Sequence, residues 1–284
     1  MKSINIQHVA YVMTLNCTLK CKRCSMLSPY LKEAYNPSFE ALKRNTEALL
    51  QIVDKVEFIN ITGGEPLLRS ADSTLVNTLD YLSGLPVEKL EKIRIYTSGT
   101  IVPNDALCED IARISEKKTF WFEIDDYGNH SVKLGDLINK LKSYKIKYNV
   151  RDYSKDLYFG GWVDFRHTDE KKRDVKSAKE LFEKCACGDI SGIGFINGVI
   201  VACPATYVRY MCGEIDKDHA EVIDLFGDRE QMREKWYRLS NAVVFESCIY
   251  CPGGISNDSE RFMPAEQVTK EEIEEYRRIR KMRY

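Results

Sequence analysis

The chain has 284 residues, 44% of them hydrophobic, enough for one large domain or two modest ones with an ordinary buried core. Its 42 basic and 43 acidic side chains leave a formal charge of -1, which removes any electrostatic argument for a nucleic-acid or anionic-membrane partner. No stretch approaches the roughly 18 apolar residues of a membrane span, and the opening MKSINIQHVAYVM lacks the apolar core and cleavage site of a signal peptide, so a cytoplasmic location is expected.

From the N-terminus, β-rich runs alternate with helical patterns: strand 8–14, helix 38–54, strand 55–62, helix 71–83, strand 92–97, helix 103–115, strand 119–125, helix 132–143 and strand 146–151. Five β-α repeats predict a parallel sheet, whose chemistry belongs at the C-terminal ends of its strands. Seven residues of strand-like sequence, His8 to Thr14, lead into Cys17-Thr-Leu-Lys-Cys21-Lys-Arg-Cys24. Three thiols without a fourth suit a [4Fe–4S] cluster that keeps one iron open, whereas a structural zinc site requires four closed ligands. Half a zinc site, completed by Cys108 or another thiol, is the competing reading.

The second strand ends in Phe58-Ile-Asn-Ile-Thr-Gly63-Gly64-Glu65-Pro66. Its glycines let backbone approach a ligand, and its carboxylate can pair with an ammonium group. Later strand ends carry Ser98, Asp125 and Arg151, which are polar groups for a ligand or, equally, turn and cap residues.

The C-x3-C-x2-C loop after the first strand, followed by GGEP after the second, resembles the radical S-adenosylmethionine (SAM) superfamily. The resemblance implies a partial (β/α)6 barrel over 1–168, with Cys17, Cys21 and Cys24 holding a [4Fe–4S] cluster. SAM would bind its open iron, aided by Gly63, Gly64, Glu65 and Pro66, with Ser98 and Asp125 near its ribose and carboxylate. Arg23 stands where the family usually has an aromatic residue or His, and offers its planar face to adenine instead. The segment Ile95 to Thr100 resembles a family stretch that usually reads T-N-G, here with Ser98 for Asn.

An aromatic, glycine-rich stretch over 152–168 reads as a linker in which Trp162, Asp164, Arg166 and His167 face a substrate, or else as a packed surface loop. The charged run DEKKRD that follows reads as solvated surface.

Beyond it come Cys185-Ala-Cys187, a hairpin signal at Asn197-Gly198, Cys203-Pro and Cys248-Ile-Tyr-Cys251. In a reducing compartment such pairs point to metal or cluster ligation rather than disulfides. A zinc ribbon fits these spacings, and so does a cluster. The set over 169–284 resembles the twitch domain of radical SAM enzymes, with Gly213-Glu-Ile for the usual G-N-I, which implies a second, auxiliary [4Fe–4S] cluster on Cys185, Cys203, Cys248 and Cys251. Cys187 competes with Cys185 for the first of these places.

The resemblance implies reductive cleavage of SAM and hydrogen abstraction from an unactivated C–H bond, using electrons from a flavodoxin- or ferredoxin-type donor. Dehydrogenation follows if a base and the auxiliary cluster complete the oxidation. Epimerisation follows if a spare thiol, Cys187 or Cys212, returns hydrogen. The absence of an N-terminal recognition segment and the polar, aromatic linker, with Asp164 and Arg166 holding hydroxyls, favour a carbohydrate, aminocyclitol or nucleotide-linked sugar; modification of a peptide or protein side chain is the alternative.

Overall fold

The computed structural model describes residues 3–154, 161–168, 170, 172–185, 192–253 and 259–283. Two compact units emerge: Met1–Leu19 with Tyr35–Phe159, and Lys20–Ala34 with Gly160–Tyr284.

The first unit alternates β1 (Asn5–Thr14), α1 (Phe39–Ile52), β2 (Lys55–Gly63), α2 (Thr74–Gly84), β3 (Leu90–Thr97), α3 (Asp105–Lys117), β4 (Thr119–Asp126), α4 (Leu134–Ser143) and β5 (Tyr148–Asp152). The five strands are parallel and lie in sequence order, so the sheet has no reversal of strand order of the kind that defines doubly wound folds. Expected and observed elements agree to within a few residues. The first strand starts earlier than expected because Ile4 and Ile6, buried between exposed Ser3, Asn5 and Gln7, already carry the period-two pattern.

Helix starts follow from their caps: Ser38 accepts from Ala41 N ahead of α1, and Asn104 accepts from Leu107 N ahead of α3. One face of the sheet is apolar and buried, with Ile59, Ile61, Ile93, Ile95, Phe122 and Ile124. Each such side chain contributes about 1.5–3 kcal/mol by leaving water. Tyr11 belongs to this face and ties β1 to α1, its hydroxyl donating to Leu42 O at 2.9 Å.

The opposite face is polar and aromatic. Registers Asn60↔Arg94, Arg94↔Trp121, Tyr96↔Glu123 and Asp125↔Arg151 place these side chains together. Parallel strands are usually apolar on both faces, so this alternation marks a face that serves something other than the core.

In the second unit, β6 (Gly192–Ile196) and β7 (Val199–Val201) form the expected hairpin through Asn197 and Gly198, with φ of 49° and 74°. Two consecutive positive φ values are those of a type I′ turn. β8 (Val222–Asp224) adds antiparallel to β7, and α5 (Val175–Lys184), α6 (Pro204–Met211), α7 (Arg229–Ser240), α8 (Ser247–Tyr250) and α9 (Lys270–Ile279) complete the unit. A Thr269/Glu272 capping box starts α9. No described helix is long and apolar enough to cross a membrane.

Candidate functional site

In the first unit the GGEP segment packs backbone to backbone against the end of β1. Gly64 N donates to Thr14 O at 2.7 Å and Glu65 N to Asn16 O at 2.8 Å. A Cβ on Gly63 would lie 2.0 Å from Thr14 O, and one on Gly64 would lie 1.9 Å from Asn16 O. The two glycines are therefore required by strand packing itself.

Glu65 was expected to pair with an ammonium group, but its carboxylate is buried and bound on both oxygens. Oε1 accepts from Leu67 N at 3.2 Å and Thr97 Oγ1 at 2.9 Å; Oε2 accepts from Ser98 N at 3.0 Å and Ser98 Oγ at 2.7 Å. Those four donors match the roughly four lone-pair sites of a carboxylate. Burial pushes its pKa up, and these hydrogen bonds oppose the shift. Pro66 begins the short helical turn that follows. Ser98, expected near SAM, has its hydroxyl on Glu65, and Asp125 is paired with Arg151, whose Nε donates at 2.6 Å.

Sequence reasoning missed Arg94, which donates from Nε to Asn60 Oδ1 at 2.9 Å and lies near the rings of Tyr96, Trp121 and Phe58. Its signal was legible in Lys92-Ile-Arg94-Ile-Tyr96, where every second residue of a buried strand is polar or aromatic.

In the second unit, residues 20–22 are clamped by 266–268. Lys22 N donates to Glu266 O at 2.6 Å, Val268 N to Lys20 O at 2.7 Å, and Gln267 Nε2 reaches Cys21 Sγ at 3.7 Å. Cys24 N closes a turn onto Cys21 O at 3.2 Å. Burial raises the Cys24 thiol pKa, and Leu27 N donates to the Cys24 carbonyl at 2.9 Å. The Ser28 hydroxyl is buried without a hydrogen-bond partner among the described residues. Three thiols on one loop, with Cys24 N turned onto Cys21 O, have the donor chemistry of an iron–sulfur group.

The Arg23 guanidinium lies 4.0 Å over the Phe262 ring and pairs with Glu266, with Asp164 at 3.5 Å. Asp164 and Arg166, expected to face substrate, bind one another, through Nε to Oδ1 at 2.9 Å and Nη2 to Oδ2 at 2.6 Å. Arg166 Nη1 also donates to Tyr30 OH at 3.0 Å, and its carbonyl accepts from Tyr276 OH at 3.0 Å. The pair is a brace because Arg166 is 9% exposed and its charge is met within the fold. Burial opposes ionisation of Asp164, but the hydrogen bonds and charge of Arg166 outweigh it and hold its pKa below the usual range. Trp162 exchanges backbone hydrogen bonds with Phe262, and His167 contacts Glu170 at 2.8 Å.

Cys185, Cys203, Cys248 and Cys251 line one cavity with Phe165, Phe182 and Phe245. Cys203 caps α6 with its sulfur, which accepts from Thr206 N at 3.4 Å. Burial, assisted by the neighbouring thiols and Glu221, pushes the Cys203 and Cys248 thiols up to about 12. Among the described residues no three His, Cys, Asp or Glu side chains converge on a single-ion site. Four thiols lining one cavity have the donor chemistry of zinc or of an iron–sulfur group. Cys187 lies outside the described residues. Cys212, 5% exposed, has its sulfur 3.7 Å from Tyr276 OH and 3.9 Å from Met282 Sδ. Cys108 is buried in α3.

No protein-family model and no curated protein matches the chain. Among solved structures it is similar to native anSMEcpe, an anaerobic sulfatase-maturating enzyme, with bound AdoMet and Cp18Cys peptide. That match has a TM-score of 0.50 at 15% identity and covers 97% of this chain and 96% of the other. A histidine-tagged anSMEcpe with AdoMet aligns at TM-score 0.35 and 15% identity, over 52% of this chain and 42% of that one. Streptococcus suis SuiB bound to S-adenosylmethionine gives TM-score 0.35 at 14% identity, over 72% and 61%. The end-to-end match shows a shared α/β fold.

Proposed function

We propose that the chain is a radical SAM enzyme with a partial (β/α)6 barrel and a twitch-type second domain, acting in the cytoplasm on a peptide or protein side chain. The observation that carries this reading is the C-x3-C-x2-C triplet after the first strand of a sequentially ordered parallel sheet. Cys17, Cys21 and Cys24 would hold the SAM-binding [4Fe–4S] cluster; Cys185, Cys203, Cys248 and Cys251 would hold the auxiliary one. Bound there, SAM and its cluster supply a hydrogen-abstracting 5′-deoxyadenosyl radical, and the auxiliary cluster supplies a one-electron acceptor.

Because the Glu65 side chain is fully engaged, the GGEP segment would bind methionine through its main chain, with Glu65 holding the ends of β2 and β3 in place. Burial of Cys212 against Tyr276 and Met282 argues against Cys212 as the thiol that would return hydrogen in an epimerisation. Electrons would come from a flavodoxin- or ferredoxin-type protein.

A peptide substrate is supported by the fold match with peptide-bound anSMEcpe, over 97% of this chain and 96% of that one. Part of the sugar expectation rested on linker residues, and two of these, Asp164 and Arg166, bind one another. A carbohydrate or aminocyclitol remains a second reading on one observation, the polar and aromatic sheet face of Asn60, Arg94, Tyr96, Trp121 and Glu123.

The test is anaerobic reconstitution followed by measurement of iron, sulfide and 5′-deoxyadenosine. About eight irons per chain and SAM cleavage are expected; a colourless zinc protein that leaves SAM intact would overturn the reading. Ser- and Cys-containing peptides should raise 5′-deoxyadenosine formation above the uncoupled rate. Stimulation by monosaccharides or aminocyclitols instead would select the second reading.

A further inference from the structure

Behind the four-cysteine cavity lies a carboxylate that no ligand set requires. Glu221, 3% exposed, stands immediately before β8. It accepts from Thr206 Oγ1 at 2.8 Å and Ser247 N at 3.1 Å, and Ser247 Oγ makes a third, short contact. Among the described residues no cation forms an ion pair with it. Arg209 comes nearest, donating to the intervening Ser247 Oγ at 3.1 Å while its own charge is met by Glu246 at 2.9 Å.

Both partners of Glu221 adjoin candidate ligands. Thr206 N donates to Cys203 Sγ, and Thr206 Oγ1 lies 3.3 Å from the same sulfur. Ser247 is the residue before Cys248, in the same turn of α8. One carboxylate thus links the start of α6 to α8, and places a negative charge one hydroxyl away from a ligand sulfur. Burying a charge without a direct counter-ion is costly, and hydrogen bonding alone offsets only part of that cost.

Accordingly, we propose that Glu221 is a positioning residue of the auxiliary iron–sulfur group, and that its fixed negative charge lowers the reduction potential of that group. This rests on the reading that Cys185, Cys203, Cys248 and Cys251 hold such a group. Cluster potentials follow net charge, hydrogen bonds to sulfur and solvent exposure, and an added electron is disfavoured beside a carboxylate in a water-poor interior. The charge would keep the auxiliary group a weaker oxidant than an uncharged brace of the same shape.

The experiment uses the full-length chain with Cys17, Cys21 and Cys24 changed to Ala, so that only the second group remains, and follows its reduction by EPR during a potentiometric titration. About four irons per chain in this parent are required; zinc, or no metal, would defeat the cluster reading itself. Against that parent, Glu221→Gln should keep its iron and shift the one-electron equilibrium toward the reduced form by about tenfold, equivalent to about 59 mV more positive. Glu221→Asp, which retains the charge, should stay near the parent midpoint.

A loaded Gln variant with an unchanged midpoint overturns the proposal. If the Gln variant takes up no iron, the Asp variant decides: loading at the parent midpoint supports the role of charge, whereas loading with a positive shift refutes it. Loss of iron from both would leave only a structural brace and refutes it too.

Discussion

The two cysteine regions are built differently. Cys21 and Cys24 sit on a tight turn whose neighbours Lys20 and Lys22 exchange backbone hydrogen bonds with Val268 and Glu266. Around Cys203 and Cys248 the chain gathers aromatic rings and buried thiols, and pushes those thiols up to about 12. In the proposed reading, an apolar enclosure suits a group that only exchanges electrons. Cysteine spacing alone does not tell the two regions apart; the contacts around the sulfurs do.

The comparison breaks most severely if the first region is not the reaction centre. Changing Cys17, Cys21 or Cys24 to Ala should abolish 5′-deoxyadenosine formation, by at least about a thousandfold on the scale of losing an essential reacting group. Retained SAM cleavage in any one of them would sink the assignment. Cys248→Ala should instead remove about four irons per chain while leaving uncoupled SAM cleavage measurable. If that variant lost all cleavage, the two regions would not be separable in function.

The next effect concerns how the strand ends are built. Glu65→Gln replaces an acceptor-only group by one carrying an NH2, which must then face a donor among Leu67 N, Thr97 Oγ1, Ser98 N and Ser98 Oγ. A buried unsatisfied donor costs about 1–3 kcal/mol, so thermal unfolding should fall by several degrees at unchanged SAM concentration. A Gln variant with native stability but lost SAM binding would restore Glu65 to the direct ligand role expected from sequence.

Much of this architecture was legible in the sequence, and the illegible part has a physical pattern. Period-two runs located all five strands of the parallel sheet, and Asn197-Gly198 located the hairpin, because both signals are local. That Cys185, Cys203, Cys248 and Cys251 line one cavity is a finding of the coordinates, which spacing along the chain does not carry. The pairing of 20–22 with 266–268 left no local trace, since its partners stand about 247 residues apart. Asp164 and Arg166 misled for another reason: composition makes them suitable for hydroxyl binding, but only coordinates reveal that an i, i+2 pair has closed on itself.

That closed pair yields a pH-dependent test. The Asp164 pKa is held below its usual value, so its contribution to stability is present above the ordinary carboxylate range and disappears as pH falls through the lowered folded value. Asp164→Asn should therefore lower stability at neutral pH by about 2 kcal/mol, the scale of a charged hydrogen bond, with the difference from wild type vanishing in strong acid. Equal stability at neutral pH, with impaired turnover, would return Asp164 to the substrate.

The smallest effect distinguishes the two possible uses of Arg23. If its stacking partner is Phe262 and its counter-charge is Glu266, Arg23→Lys preserves the ion pair and weakens only the stacking, since an ammonium lacks the flat face of a guanidinium. Cation–π contact at a partly exposed site is worth about 0.5–1 kcal/mol, which should appear as a small loss of thermal stability. SAM affinity, measured by equilibrium binding to the reconstituted protein, should change by less than about threefold, because each tenfold change in Kd requires about 1.4 kcal/mol of contact with the ligand. A tenfold or larger loss would mean that the guanidinium faces adenine when SAM is bound, and that the Phe262 contact gives way to the ligand.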